Sequence, residues 1–251
     1  MLNHKNILRF YLLILLSAAA PTLKAQENAP RSVTDLSGAR PDIPGMLGLE
    51  FGWVLAPDFP EEMKLNFIGS VVVSPYYKYE FRIANSNFSI HPGIAFTSEK
   101  FSFNDNITLV SNLTPEGYVT ELIGLDTTLA DANIRKSKLN AMYFEIPLEI
   151  TFRTKPDLPK RSVNITVGAK GGVLMDSKTK YTYRQDGQTK KSKQKERFDL
   201  NPWRVLIVGK IGYASVNLFY YYNFLPVFSN DKGPLQTQAQ QMSFGISIDL
   251  F

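Results

Sequence analysis

The sequence contains no cysteine, which excludes disulfide cross-links, Cys-ligated zinc and a thiol for lipid attachment. After residue 25 it also has no apolar run as long as the roughly 20 residues that a membrane-spanning helix needs. Beyond that point His91 is the only histidine, so no histidine and carboxylate spacing typical of a metal site is present. There is also no glycine-rich phosphate loop. No cofactor is therefore expected, and a membrane could be crossed only with β-strands.

Residues 1–25 have the features of a secretory signal peptide. Lys5 and Arg9 form a basic start, a short apolar run covers residues 10–20, and Ala25 supplies a small residue at the expected cleavage site. The alternative, a membrane anchor, would need a longer apolar run. Residues 26–44 are polar, contain three prolines and show no periodicity. We expect them to form a flexible periplasmic leader.

The net positive charge depends largely on the first 25 residues. The chain has 28 Lys and Arg against 23 Asp and Glu. Lys5, Arg9 and Lys24 lie in the expected signal peptide, so the mature chain keeps 25 against 23 and a charge near +2. Such a small excess does not favour nucleic acid as a partner.

Strict alternation of apolar and polar residues is clearest in residues 142–154. Successive side chains of a strand point to opposite faces, so this segment has one apolar face and one largely charged face. The apolar face holds Met142, Phe144, Ile146, Leu148, Ile150 and Phe152, and the other holds Tyr143, Glu145, Pro147, Glu149, Thr151 and Arg153. A membrane barrel needs this pattern in every strand, because lipid lies outside and polar groups lie inside.

The same alternation occurs eight times, in residues 45–55, 70–83, 88–98, 142–154, 163–173, 203–211, 216–224 and 242–250. Connections after the odd-numbered segments are long, and those after the even-numbered segments are short. Short periplasmic turns and long outer loops are typical of outer-membrane barrels. The sequence therefore predicts an all-β fold, an eight-stranded antiparallel transmembrane β-barrel over residues 45–251. A soluble lipocalin-like barrel remains the alternative.

Short strand motifs resemble the PorT-type outer-membrane β-barrel family of Bacteroidetes over about residues 45–251. They are Pro92-Gly93-Ile94, Phe144-Glu145-Ile146-Pro147-Leu148, Lys210-Ile211-Gly212-Tyr213 and Phe244-Gly245-Ile246-Ser247-Ile248. The resemblance implies an outer-membrane location and an architecture rather than an activity. Founding members are linked to a protein-secretion machine, and nothing in these motifs selects that branch. Phe251 departs from the pattern of such barrels, because it falls on the parity of Asp249 and Ser247 instead of the apolar parity.

The inward parity carries many charged residues. An eight-stranded barrel is just wide enough to be filled by side chains, and buried charges must then be paired. We expect an interior charge network that stabilises the barrel. The alternative is a narrow polar pore or proton path. The network is predicted to contain Lys78, Glu80, Arg82, Glu145, Glu149, Arg153, Lys170, Arg204 and Lys210.

Ser89 and His91 lie two residues apart on the inward parity. Small outer-membrane lipid esterases also place a serine and a histidine close together on a strand. Nucleophile activation would require hydrogen-bond reach and an orienting carboxylate. We expect a hydrogen-bonded interior histidine, with no catalytic residue and no enzyme activity.

Residues 176–199 form a hydrophilic, strongly basic segment, and we expect it in an outer loop. There it would lie among lipopolysaccharide phosphates, although a merely solvated loop fits the composition equally well. The predicted role is therefore structural or interaction-based, with ligand contacts in loops 99–140 and 176–199. Expected partners are outer-membrane lipid, lipopolysaccharide and another envelope protein. The candidate lipopolysaccharide-facing residues are Lys178, Lys180, Arg184, Lys190, Lys191, Lys193, Lys195 and Arg197.

Overall fold

A computed structural model describes residues 45–114, 117–129, 132–229 and 232–250. The expected signal peptide, the leader and the parity of Phe251 lie outside the described residues and stay predictions. Among the described residues, no helix has the length and apolar character needed to cross a membrane.

The secondary structure of the described residues is almost entirely strand. One helical turn, α1 (Leu125–Thr128), and three 3-10 turns at Glu61–Met63, Pro159–Arg161 and Pro234–Gln236 interrupt it. The strands are β1 (Met46–Leu55), β2 (Val71–Lys78), β3 (Phe81–Arg82), β4 (Phe88–Ser102), β5 (Ile107–Thr114), β6 (Gly117–Gly124), β7 (Asn133–Arg153), β8 (Val163–Gln185), β9 (Gln188–Lys195), β10 (Trp203–Tyr213), β11 (Val216–Asn223) and β12 (Met242–Asp249).

Eight of these strands form a closed antiparallel ring in the order β1, β2, β4, β7, β8, β10, β11 and β12. β12 pairs back onto β1, with Leu55 opposite Met242 and Gly48 opposite Asp249. The predicted eight-stranded antiparallel barrel is therefore confirmed. The main difference lies in β7 and β8, which have 21 and 23 residues and continue well beyond the predicted segments. In these extensions β7 and β8 remain paired with each other, although their outward-facing residues are no longer apolar.

The two faces of the ring differ as the alternation predicts. On the outside, apolar side chains are largely exposed, as for Phe51 (50%), Ile146 (59%) and Val167 (58%). On the inside, Glu50, Glu145 and other charged residues are buried. A soluble protein distributes these residue types the other way round, because exposing so much apolar surface to water is unfavourable. The outer surface is therefore suited to hydrocarbon and not to water.

Short and long connections lie at opposite ends of the barrel, as predicted. The turns at 83–87, 154–162 and 214–215 define the periplasmic end. At the other, extracellular end, β5 and β6 form a separate two-stranded sheet, and β9 pairs with the extension of β8.

An apolar cluster fills the extracellular end of the barrel. We call it the extracellular cap: its buried members include Phe59 and Met63 from the first long connection, Phe101 and Leu139 from β4 and β7, and Phe228 from the last connection. The ring centroids of Phe59 lie 6.3 Å from Phe101 and 6.2 Å from Phe228. The long connections therefore fold inward and pack as a core, which single-strand periodicity cannot predict.

The closing seam between β1 and β12 requires two glycines. Gly52 lies directly opposite Gly245. A Cβ on Gly245 would lie 2.2 Å from the Phe51 carbonyl oxygen, and a Cβ on Gly52 would lie 2.1 Å from the Phe244 carbonyl oxygen. Both clashes are with backbone, which cannot move aside without breaking the pairing.

We expect Gly245→Ala to destabilise the barrel by roughly 1–3 kcal/mol, the usual cost of overpacking. Gly171→Ala is the matched control, because its Cβ would meet nothing within 4 Å. Urea unfolding from detergent micelles measures both. Equal stability of the two variants would show that the seam tolerates a side chain.

Candidate functional site

Glu50 on β1 is the centre of the interior charge network. Its side chain is completely buried, and its two carboxylate oxygens accept hydrogen bonds from Lys170 Nζ at 2.7 Å and Lys210 Nζ at 2.8 Å. The Tyr221 hydroxyl donates a further hydrogen bond to the same carboxylate. Strands β1, β8, β10 and β11 are thus joined across the lumen through one acidic group.

The network continues from Glu50 toward the periplasmic end. Lys210 Nζ lies 3.2 Å from Glu149 Oε1, and Lys78 Nζ lies 2.8 Å and 2.7 Å from the two oxygens of Glu149. Lys78 also stacks over the Tyr76 ring, with its Nζ 4.2 Å from the centroid. Each buried lysine therefore faces a carboxylate, the condition under which a buried charge is tolerated.

Toward the extracellular end, Arg204 joins two carboxylates. Its Nε donates to Glu145 at 2.5 Å, its Nη1 lies 2.8 Å from Glu99, and its guanidinium lies 3.9 Å from the Tyr143 ring centroid. The Gln241 side-chain amide donates to both oxygens of Glu99, at 2.8 Å and 2.9 Å. The extracellular cap packs directly above this layer.

The interior leaves little free volume at the level of these charges. One cavity of about 10 Å³ is lined by residues that include Glu50, Glu145 and Arg204. Another of about 20 Å³, nearer the periplasmic end, is lined by residues that include Lys78 and His91. A water molecule needs roughly 10–15 Å³, so each of these two spaces is about the size of one water molecule.

Six of the nine residues predicted for the interior network lie in it: Lys78, Glu145, Glu149, Lys170, Arg204 and Lys210. Arg153 and Glu80 form a separate ion pair near the periplasmic end, with Glu80 partly exposed. Arg82 does not join the interior. It pairs with Asp157 at 2.6 Å on the exposed periplasmic surface. The reason is that β2 ends at Lys78, and the short strand β3 does not continue the inward and outward alternation of β2.

Sequence reasoning missed two acidic members of the network, Glu50 and Glu99. Glu50 shares the inward parity of Gly48 and Gly52, so parity alone would have identified it. Glu99 lies one residue past the predicted end of its strand, while β4 continues to Ser102. The prediction placed β4 too short because the apolar outward residues stop before the strand does.

The Ser89 and His91 pair is buried inside the barrel. Ser89 Oγ lies 2.8 Å from His91 Nε2, which confirms the expected hydrogen-bonded interior histidine. Among the described residues, His91 Nδ1 has no hydrogen-bond partner, so no carboxylate orients the ring. These residues also contain no cluster of three His, Asp or Glu that could hold a metal ion.

The basic segment is a β-sheet instead of an irregular loop. Its residues lie on the end of β8 and on β9, which pair with each other and, through β8, with the start of β7. We call residues 133–140, 176–185 and 188–195 the basic platform. Its inner face contains buried Ser137, Leu139, Ser177 and Thr179.

Lysines dominate the other face of the basic platform, arranged in cross-strand rows. Lys138 is opposite Lys180, which is opposite Lys193. Lys178 is opposite Lys195, and Thr182 separates Lys136 from Lys191. This face has the parity of the apolar outside of the barrel, and Lys100 of β4 continues it. We call this set the outward lysine face: Lys100, Lys136, Lys138, Lys178, Lys180, Lys191, Lys193 and Lys195.

The remaining predicted basic residues lie elsewhere. Lys190 falls on the inner parity and donates to Gln185 Oε1 at 3.2 Å. Arg184 is next to the turn and donates to the Gly187 carbonyl. Arg197 follows the end of β9. On the outward face, Asp176 forms an ion pair with Lys195 at 3.0 Å.

The charge on this face is concentrated enough to affect titration. Lys138 lies in the extracellular part of β7, where partial burial lowers its pKa, and the charges of Lys100 and Lys180 lower it further. Like charges directly opposite each other destabilise a sheet, so an anion in contact with these rows would stabilise it.

We expect Glu50→Ala to destabilise the barrel by about 3–5 kcal/mol, because it leaves Lys170 and Lys210 buried without their carboxylate. Asp157→Ala breaks the exposed pair with Arg82 and should cost only about 0–1 kcal/mol. Urea unfolding of both variants tests the difference. Similar losses would mean that the interior charges contribute no more than surface ones.

Comparison with known proteins identifies the family. Residues 49–229 match the family described as the outer membrane protein beta-barrel domain. No curated protein matches the chain. One solved structure is similar: Ail, the attachment invasion locus protein of Yersinia pestis, in complex with the heparin analogue sucrose octasulfate. The alignment covers 82% of this chain and 98% of the Ail chain, with 8% sequence identity and a TM-score of 0.30. That likeness supports no argument about function. The family match covers most of the barrel, and the chain therefore belongs to the outer membrane protein beta-barrel domain family, located in the outer membrane.

Proposed function

We propose that the protein is a non-conducting interaction protein of the outer membrane, which uses the barrel as an anchor and the basic platform to bind an anionic ligand. The observation that carries the proposal is the contrast between a filled interior and an unneutralised lysine surface outside. Seven of the eight residues on the outward lysine face have no ion pair among the described residues, and the eighth, Lys195, pairs with Asp176.

The filled interior supports an anchoring role over the pore alternative. An ion would have to pass the extracellular cap, where Met63, Phe101 and Phe228 are completely buried. It would then meet Glu50, Glu145 and their paired cations, whose separation would leave charges uncompensated in a low-dielectric interior. An eight-stranded barrel is too narrow to leave a water-filled path around these side chains.

The position of Ser89 and His91 inside the barrel supports a role without enzyme activity. Both side chains are buried in the lumen, on the face opposite to lipid. A hydrolase would need its nucleophile accessible to substrate and its base oriented by a third group. The 2.8 Å contact joins Ser89 Oγ to His91 Nε2, as expected for two buried polar side chains that hydrogen-bond to each other.

Charge complementarity supports an anion as the ligand. Lysine ammonium groups bind phosphate as strong, compact positive charges, and the three rows repeat that group over the sheet. Lipopolysaccharide, expected from the sequence, supplies such phosphates. An acidic envelope protein is the second class of partner. The PorT-type branch and its link to secretion stay predictions of the strand motifs.

Trimming the basic platform tests the proposal. Replacing residues 179–194 with an Asn-Gly turn removes Lys180, Arg184, Lys190, Lys191 and Lys193 together with Asp186, a net loss of four positive charges. We expect the purified variant to bind linear inorganic polyphosphate more than about 100-fold more weakly than the wild type, at roughly 1 kcal/mol for each lost charge. Isothermal titration calorimetry at low ionic strength measures the affinity.

The control removes cations from the periplasmic turn by Lys155→Gln, Lys160→Gln and Arg161→Gln, and it should bind as the wild type does. Added salt should weaken wild-type binding, because exposed charges are screened. Undiminished binding by the trimmed variant, or no binding by the wild type, would refute the proposed function.

A further inference from the structure

The side of the protein to which the outward lysine face points indicates where its ligand is located. The same strands that carry these lysines carry the lipid-facing residues below them: Met142 and Phe144 follow Lys138 on β7, and Val173 precedes Lys178 on β8. The inner face of the basic platform is the one that turns over the barrel mouth, where Leu139 and Thr179 are buried. The lysines therefore point sideways, over the membrane that surrounds the barrel.

The upper edge of the hydrocarbon contact lies near Met142 and Asp176, which are opposite each other. Met175 is 62% exposed beside Asp176, and Trp203, opposite Val173, is 63% exposed. Exposed tryptophan on a lipid-facing surface is typical of the interface between hydrocarbon and headgroups. Above this level, outward apolar residues give way to lysines.

The height of each lysine row follows from strand geometry. Strands rise about 3.4 Å per residue and tilt by roughly 40° in such barrels. The row of Lys178 and Lys195 is two residues above Met142, so it stands about 5 Å higher, and the row of Lys138, Lys180 and Lys193 stands about 10 Å higher. The headgroup layer is about 5–7 Å thick on each side. Both rows therefore reach the lipid phosphates with their long side chains.

A cleft at the foot of the basic platform supports the same orientation. It has a volume of about 210 Å³ and lies between the β8 bulge and the end of β9. Leu174 and Met175 form its apolar part, while Lys195 and Arg197 contribute positive charge beside the carboxylates of Asp176 and Glu196. An apolar part beside cationic groups is suited to the junction of acyl chain and phosphate in a lipid, although Lys195 is also paired with Asp176.

We infer that the outward lysine face binds the phosphate groups of glycolipids in the outer leaflet that directly surrounds the barrel. This inference rests on the proposed anion-binding function and names the source of the anion. The glycolipid contacts the protein in the plane of its own membrane.

The test compares two variants that each lose three positive charges, from different parts of the protein. Lys138→Gln, Lys180→Gln and Lys193→Gln together neutralise the central row. The matched control combines Lys64→Gln, Lys160→Gln and Lys232→Gln, three exposed lysines that lie outside the basic platform. Circular dichroism and heat-modifiable migration establish that each variant is folded.

Native mass spectrometry of the protein in detergent micelles then measures binding of three probes: lipid A with both phosphates, lipid A stripped of its phosphates, and linear inorganic polyphosphate. We expect the wild type and the control to bind diphosphorylated lipid A about 100-fold more tightly than the central-row variant does, from three charges at the membrane surface. Dephosphorylated lipid A should bind all three proteins weakly.

The outcomes separate this inference from the proposed function. If polyphosphate binds as tightly per phosphate as lipid A and the central-row variant loses both, the proposed function stands and the membrane source is wrong. If the control loses as much as the central-row variant, the direction of the lysines is irrelevant and the inference fails. If no phosphorylated probe binds the wild type, both proposals fail.

Discussion

The pairing of charges inside a barrel of only eight strands is the constraint on which the rest of the structure depends. The outside of the ring must be apolar to lie in hydrocarbon, so polar residues collect inside. Eight strands leave room there for side chains but not for bulk water. Glu50 therefore lies in contact with Lys170 and Lys210, and Arg204 with Glu99 and Glu145, because none of these charges could be solvated.

This arrangement has a consequence for function. Among the described residues, the lumen is occupied by ion pairs and covered by an apolar cap, and the small spaces beside the charges are about the size of a water molecule. The proposed recognition therefore lies on the parts of the chain that leave the barrel. These include the extensions of β7 and β8, which keep their pairing while the outward residues change from apolar to lysine. Along these strands the outward-facing residues contact lipid at the level of the membrane, and the outward-facing residues beyond it are positively charged.

Much of the barrel could be predicted from the sequence, because the pattern of its strands is local. Alternation identified all eight barrel strands, the inward parity and most of the charge network. Features that depend on contacts between distant segments could not be predicted this way. The cap joins Phe59 and Phe228, from two long connections, to Phe101 near the end of β4, and these contacts link segments that are far apart in the chain.

The errors also have physical causes. Arg82 was assigned to the interior because the alternation was extended through the break between β2 and β3, and Glu99 was missed because the apolar parity ends before β4 does. The basic segment was expected as a loop because its charges resemble those of a solvated one. Cross-strand pairing of residues 176–184 with residues 133–142 and of Lys178 with Lys195 orders it as a sheet, and neither pairing can be recognised from one segment alone.

The most direct test of the filled lumen is the ionic conductance of the purified wild-type protein in a planar bilayer, at a loading where insertion has been verified by heat-modifiable migration of the recovered protein. The paired charges and the cap predict membranes that stay electrically silent. Discrete, reproducible channel steps that increase in number with the amount of inserted protein would contradict the account.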